Sequence, residues 1–382
     1  MNLSTENKTW LDSTWDKIDA KMQKVAVRSY NKIPYTTDEN GVHIDRISMP
    51  TWWTNGFWGG LMWLLHIGTG KDVYKQTAIN AEKIMDAGLK AFDGLHHDVG
   101  FMWHIVSGAN YRYTGDKDAR IRNLYAASTL AARYDIIGKY IIAWNGDSNR
   151  YGSIIDCMMN IPLLYWASRE TGRDTYKQIA IAHADMAMRD HIRPDGSVNH
   201  IILHNNETGE GVENGAGQGS EPGSSWSRGQ AWALYGFVLS YIHTGKAEYL
   251  DTAKKVANYF ISCCCDDWLP RCDFRAPKEP VIYDSTASCC AACGLIEIAR
   301  NVPENESAAY LDAAINLLRA CDENWCNYDE NTDYLVGYGT LRYPREGLPA
   351  SQYDEVHIPI IYGDFFYVEA LMKLKGNEYL AW

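Results

Sequence analysis

Residues 69–78 read TGKDVYKQTA, and close copies of this decapeptide return twice along the chain. Residues 171–180 are TGRDTYKQIA and residues 244–253 are TGKAEYLDTA, so the shared pattern is T-G-[KR]-x-x-Y-x-x-x-A. A fourth, degenerate copy lies at Tyr310-Leu311-Asp312-Ala313-Ala314, matching Tyr249 to Ala253. Internal repetition of this kind marks a fold assembled from like units. The stretches before the copies (57–67, 161–167, 231–242 and 291–299) are rich in Trp, Leu and Ala. Gly59, Gly60 and Gly236 within them allow close helix approach. The stretches after the copies are amphipathic, with Ala253, Val256, Ala257 and Phe260 at helical spacing. Gly70, Gly172 and Gly245 suit the left-handed position that ends a helix. Each unit is therefore expected to be helix, tight turn, helix.

A helical hairpin cannot bury its apolar face alone, so such units stack with the more apolar helix inward. Segments 124–134 and 366–374 add helices and bring the count towards six pairs. The expected architecture is an all-α fold, an (α/α)6 toroid of six helical hairpins with inner and outer rings, formed as one domain over 1–382. An open solenoid is the rival, and closure is favoured because neither end reads as a polar cap.

Composition narrows the function. The chain has 382 residues, with Lys+Arg 36 against Asp+Glu 48 and a net charge of -12. Without a basic stripe, no nucleic-acid partner is expected. No run approaches the ~18 apolar residues of a membrane span. The polar opening segment MNLSTENKTW lacks the signal-peptide pattern, so a cytoplasmic location is expected, as a monomer or homodimer. Ten cysteines would then stay reduced. Cys263, Cys264, Cys265 and Cys272 form one cluster, and Cys289, Cys290 and Cys293 another. Cys290 and Cys293 have zinc-ligand spacing, but CCAACGLIEIA reads as a small-residue helix rather than a turn, so structural thiols are expected. The 14 Trp, 25 Tyr and 8 Phe fill a core or form platforms for sugar rings; composition does not separate the two.

Four polar stretches fall beside the starts of inner helices: 96–98, 155–160, 218–230 and 283–285. Asp156 stands in an apolar setting of Ile154, Ile155, Met158 and Met159. Such a carboxylate is a helix cap or a group tuned for proton transfer. Asp98 sits in a His96-His97-Asp98-Val99-Gly100 turn, where it is a turn residue or a functional one; the histidines lack metal-ligand spacing. Arg228, at the start of the third inner helix, opposes the helix dipole and needs an anion, from a structural Asp or from a ligand. His200 alone reads as structural. G-x-S-x-G, P-loop and GxGxxG contexts are absent.

At these residues the chain resembles glycoside hydrolase family 88, the unsaturated glucuronyl hydrolases. The matching pieces run nearly end to end: Trp53-Thr54-Asn55-Gly56-Phe57-Trp58, His96-His97-Asp98-Val99-Gly100-Phe101, Ile155-Asp156-Cys157 with Asn160-Ile161-Pro162, Gln218-Gly219, Trp226-Ser227-Arg228-Gly229-Gln230-Ala231-Trp232, Asp284-Ser285-Thr286 and Gly363-Asp364-Phe365-Phe366-Tyr367. The resemblance implies the toroid independently. It implies Asp156 as general acid/base and Asp98 as partner carboxylate. It implies His97, His200, Gln218 and Arg228 as substrate-binding residues, and Trp53, Trp144 and Trp226 as aromatic walls.

The implied substrate is an oligosaccharide left by a polysaccharide lyase, with a 4,5-unsaturated glucuronic acid at its non-reducing end. No metal or organic cofactor is implied. Protonating the vinyl ether at C4 leaves an oxocarbenium-like centre at C5 for water to trap, so the usual rule on carboxylate spacing does not apply. The acid must hold its proton near working pH, and an apolar shell with Asp98 nearby is expected to supply that. The chain departs from the pattern at Asn214-Gly215-Ala216-Gly217, which lacks a His before Gln218. It departs again in the Pro-rich loop 339–362, which lacks the Ser/Lys-bearing pattern of sulfate-binding members. The alternatives are an unsaturated rhamnogalacturonyl hydrolase acting on pectin fragments, a non-catalytic glycan-binding toroid, and a helical scaffold for protein partners.

Overall fold

The computed structural model describes residues 3–146, 151–213, 217–345 and 355–382. Asn214, Gly215 and Ala216, and residues 346–354 of the Pro-rich loop, lie outside them. Twelve α-helices are found among the described residues. They are α1 (Thr5–Arg28), α2 (Asn55–Thr69), α3 (Asp72–Lys90), α4 (Ser107–Thr114), α5 (Lys117–Ala131) and α6 (Pro162–Thr171). The others are α7 (Asp174–Asp190), α8 (Ser227–Thr244), α9 (Ala247–Cys264), α10 (Ser285–Asn301), α11 (Glu304–Trp325) and α12 (Ile361–Leu374). No helix among the described residues is long and apolar enough to cross a membrane.

The even-numbered helices form the inner ring. From Ser227 to Ser240 every residue of α8 is buried, and α10 is buried from Ser285 to Ala299. The outer helices bury one stripe each, such as Tyr249, Ala253, Val256, Ala257 and Phe260 of α9. Around the ring, α12 packs on both α10 and α2, while α1 packs on α12. The ring is thus closed into an (α/α)6 toroid, and its sixth hairpin pairs helices from opposite ends of the chain.

The repeated decapeptide has a physical role at each letter. Thr69, Thr171 and Thr244 donate their hydroxyls to the carbonyl four residues back, and accept the N–H two residues on. Gly70, Gly172 and Gly245 take φ of 74°, 68° and 72°, as the tight turn requires. The repeat tyrosines bind each outer helix to the one before it. Tyr74 bonds Asp19 of α1, Tyr176 bonds Ser128 of α5, Tyr249 bonds Asp185 of α7, and Tyr310 bonds Asn258 of α9.

A further copy of the turn sits at Thr114-Gly115, between α4 and α5, with Gly115 at φ 77°. The repeat pattern misses it because residues 116–119 are DKDA, with Asp116 in the basic position and Ala119 in place of the tyrosine. The helix expected over 124–134 begins at Lys117 and stops at Ala131, and Tyr134 enters a strand instead. Cys290 and Cys293 lie inside helix α10, buried, as their small neighbours indicate.

Short antiparallel strands dress one rim: β1 (Pro34–Thr37) with β2 (His43–Asp45), and β3 (Tyr134–Asp135) with β4 (Tyr140–Ile141). A three-stranded sheet follows, β5 (Gly152–Ile154), β6 (Ile201–His204) and β7 (Gly211–Glu213). Pairing of Ile154 with Ile201 brings the residues flanking β5 and β6 side by side. Those residues include Asp156 and His200.

Candidate active site

A cavity of about 210 Å³ opens on the rim where the inner helices begin. Among the residues expected to act, Trp53, His97, Asp98, Trp144, Asp156, Gln218, Trp226 and Arg228 all line it. His200 does not; it stands behind Asp156. Trp52, His96, Ile154, Leu341 and Arg342 also line it, and the sequence reading did not assign them a role. A larger, more open depression of about 600 Å³ lies by the β6–β7 turn. There Arg189 and Asp190 pair with each other, and none of the residues expected to act is present.

Asp98 is held from three sides. Asn160 donates its side-chain amide to Asp98 Oδ1 at 3.1 Å, His96 Nδ1 stands 3.3 Å from Oδ2, and His97 Nε2 stands 3.2 Å from the same oxygen. Burial alone would push the Asp98 carboxyl up. The imidazoles of His97 and His96 and the Asn160 amide outweigh it and hold the group below the usual carboxylate range. Burial pushes His97 itself down to about 4, so its ring is uncharged near neutrality.

The same Asn160 accepts the backbone N–H of Phe101 at 2.8 Å and reaches the backbone carbonyl of Asp156 at 3.3 Å. This close approach requires Gly100, where a Cβ would stand 2.7 Å from Asn160 Cα.

Asp156 is not a helix cap. It lies on a short 3₁₀ turn, Ile155–Met159, while Pro162 occupies the first turn of α6 beyond it. The turn packs on α8 at Gly236, where a Cβ would meet Met158 Cβ at 2.5 Å. Asp156 Oδ1 faces His200 Nε2 at 3.4 Å, and neither atom has another hydrogen-bond partner among the described residues. His200 accepts the backbone N–H of Gln218 on Nδ1 at 3.1 Å. In the neutral ring the proton is thereby assigned to Nε2, where it points at Asp156. His200 also lies against Trp226, ring centroids 4.3 Å apart.

The anion that Arg228 needs is a structural Asp. Arg228 donates to Asp284 Oδ2 at 2.5 Å, to Thr286 Oγ1, and to the carbonyls of Thr340 and Leu341 at 2.8 and 2.7 Å. Both partners are buried, and Asp284 also caps α10 through Thr286 N. Burial opposes the Arg228 charge, but Asp284 outweighs it and the guanidinium stays protonated. Gln218 adds a bond from Nε2 to the Leu341 carbonyl at 2.7 Å. Arg228 and Gln218 therefore fasten the strand-like segment 340–341 to the cavity edge, which sets Arg342 beside it. Among the described residues Arg342 takes no hydrogen bond or ion pair, and its Nε is buried without a partner.

The aromatic walls are equally well seated. Trp53 packs on Tyr362, Phe101 and Phe57, with centroids 5.1, 5.6 and 6.0 Å away. The backbone around Trp144 is clamped by Arg133, which bonds the carbonyls of Ile142 and Trp144. Among the described residues one group of three metal-capable donors comes together, His96, His97 and Asp98.

Arranged in this way, two carboxylates with unlike partners face one sugar-sized space between tryptophans. The model of Glycosyl Hydrolase Family 88 matches residues 19–266. The chain belongs to this family. It is similar to the unsaturated glucuronyl hydrolase of Bacillus sp. (strain GL1), at 35% identity over 92% of this chain and 93% of that one. It is also similar to the unsaturated chondroitin disaccharide hydrolase of Streptococcus pneumoniae, at 33% identity over 92% and 89%. The solved structure of the Bacillus sp. GL1 unsaturated glucuronyl hydrolase superposes with a TM-score of 0.87 at 31% identity, covering 94% of this chain and 97% of that chain. The toroid is the fold that the resemblance implied.

Proposed function

We propose that this family 88 hydrolase removes the 4,5-unsaturated glucuronic acid from the non-reducing end of lyase-derived acidic oligosaccharides. The observation that carries the reading is the pair Asp98 and Asp156 on one cavity walled by Trp53, Trp144 and Trp226. At about 210 Å³ the space equals roughly seven waters at ~30 Å³ each, which suits one sugar ring.

In the proposed reaction, the Asp156 carboxyl gives its proton to C4, forming the C4–H bond as the alkene pair leaves C5 electron-poor. Water adds at C5 and its surplus proton returns to Asp156, regenerating the acid. The resulting hemiketal opens at the ring oxygen, and the hemiacetal left at C1 expels the remaining sugar as an alcohol. Asp98, held ionised by its neighbours, accepts hydrogen bonds from sugar hydroxyls and stabilises positive charge as it develops. The His200 Nε2–H steadies the Asp156 carboxylate formed midway. Arg342 faces the uronate carboxylate, since Arg228 is already neutralised by Asp284. The tryptophans take the apolar faces of the ring.

The test is loss of the ultraviolet absorbance of the unsaturated ring with an unsaturated glucuronyl–N-acetylhexosamine disaccharide, run in D2O. Turnover with deuterium delivered to C4, abolished in Asp156→Asn, is the expected result. Turnover of unsaturated galacturonyl-rhamnose alone, or wild-type rates in Asp156→Asn, would overturn it.

A further inference from the structure

His96, His97 and Asp98 are consecutive, yet their side chains converge. His96 Nδ1 and His97 Nε2 stand 3.3 and 3.2 Å from the same oxygen, Asp98 Oδ2, and all three donors lie within 4.8 Å of one another. Donors bonded at ~2.0–2.1 Å to one tetrahedral ion are ~3.3–3.4 Å apart, so both measured edges are close to those of a coordination tetrahedron. Asp98 commits Oδ1 to the Asn160 amide at 3.1 Å and leaves Oδ2 as the shared vertex. A carboxylate oriented in this way through its other oxygen is the usual support of a metal ligand. All three residues line the open cavity, which leaves the fourth vertex to water. An ion would take the place of the direct contacts of His96 and His97 with Asp98 Oδ2, and of the 3.5 Å contact from Asp98 N–H to His96 Nδ1, which is at the outer limit of a hydrogen bond.

We propose that this trio binds a first-row divalent ion of the zinc and cobalt class, for which two imidazoles and one carboxylate are a suitable donor set. The bound ion neutralises Asp98 and fills the place of the sugar hydroxyls, so it excludes substrate. That second step rests on the proposed function; the binding does not.

The experiment titrates chelator-treated full-length protein with Co2+ and follows visible absorption. One ion per chain is expected, with ligand-field bands and no sulfur-to-metal charge transfer. Affinity is expected to fall tenfold or more in His96→Ala and in Asp98→Asn, with the far-ultraviolet circular dichroism of each variant checked for folding, and to hold in His200→Ala. No stoichiometric binding, equal affinity in all variants, or a sulfur-to-cobalt band from the cysteines would overturn the site.

Zn2+ added to the disaccharide assay is expected to inhibit competitively, with a constant that follows its affinity in the wild type and in His96→Ala. Binding without competitive inhibition would overturn the exclusion step. Turnover by the metal-free wild type reports separately on the proposed function.

Discussion

Asn160 donates to Asp98 Oδ1 at 3.1 Å with the same nitrogen that reaches the Asp156 backbone carbonyl at 3.3 Å. One amide thus ties together the two turns that carry the carboxylates. Asn160→Ala leaves Asp98 and the Phe101 N–H short of a partner in a buried setting. It is expected to cost about 1–3 kcal/mol of stability. It is also expected to lower kcat tenfold or more, measured by denaturant unfolding and by the absorbance assay. An unchanged kcat in a folded variant would remove Asn160 from this role.

Asp156→Asn keeps the shape of the side chain and loses the transferable proton. A positioned acid or base typically contributes ~10²–10⁴-fold, so kcat should fall by at least ~10²-fold while the disaccharide still binds. His200→Ala should lower kcat by less, because it removes only the N–H that faces Asp156 at 3.4 Å. Equilibrium titration and single-turnover kinetics separate binding from chemistry.

The two cavity arginines should behave oppositely. Arg228→Leu abandons Asp284 as an unpaired buried charge, which costs on the order of 3–5 kcal/mol, and should appear as a large drop in Tm. Arg342→Ala breaks no bond within the described residues. It should leave Tm nearly unchanged and raise KM about tenfold or more, with Arg342→Lys recovering part of the loss. A KM effect confined to sulfated substrates would reassign Arg342 from the uronate to a neighbouring sugar.

Acid should loosen the fold before it protonates most carboxylates. Burial lowers His97 and His191 to about 4, and His43 and His243 to about 3. The unfolded chain takes up these protons near pH 6.5, so the folded state binds fewer between that pH and the lowered values. Stability is therefore full above about 6.5 and falls as the pH drops through 6.5 to 4. A histidine held at about 4 accounts for on the order of 3 kcal/mol across that window. Asp364, raised by burial to about 7, and Glu82 and Glu369, also raised by burial, work in the reverse sense, but they are three groups against eight lowered histidines, with His104, His183, His204 and His357 joining the four above. Urea midpoints measured from pH 7.5 to 4 should decrease steadily; a flat profile would contradict the uncharged state of these rings.

The fold was legible because its signals are local. Thr-Gly turns are written in two adjacent letters, and each repeat tyrosine marks a contact between neighbouring outer helices. The Thr114-Gly115 turn escaped because it keeps the backbone chemistry and drops the side chains that made the pattern visible.

Within the site, Asp98, Asp156 and the tryptophans announced themselves as polar or aromatic residues beside helix starts. Arg342 did not, since its place depends on Arg228 gripping the 340–341 carbonyls from more than a hundred residues away. The resemblance implied His200 as substrate-binding; sheet pairing between β5 and β6 sets it beside Asp156, outside the residues that line the cavity. His96, His97 and Asp98 lack any ligand spacing in the sequence, and only the tight turn after Leu95 folds their tips onto one point.

Five hairpins of the toroid join helices that are adjacent in sequence, so each can zip up during synthesis. The last pairing must wait for α12 to meet α1 across more than three hundred residues. Until that late docking the incomplete washer has two raw faces, on α2 and α12, both lined with aromatic and aliphatic side chains. Such distant contacts are slow to form, and a nascent or shortened chain would offer those faces to other molecules in the meantime. Chaperone dependence and aggregation during refolding are the expected cost of making the ring whole.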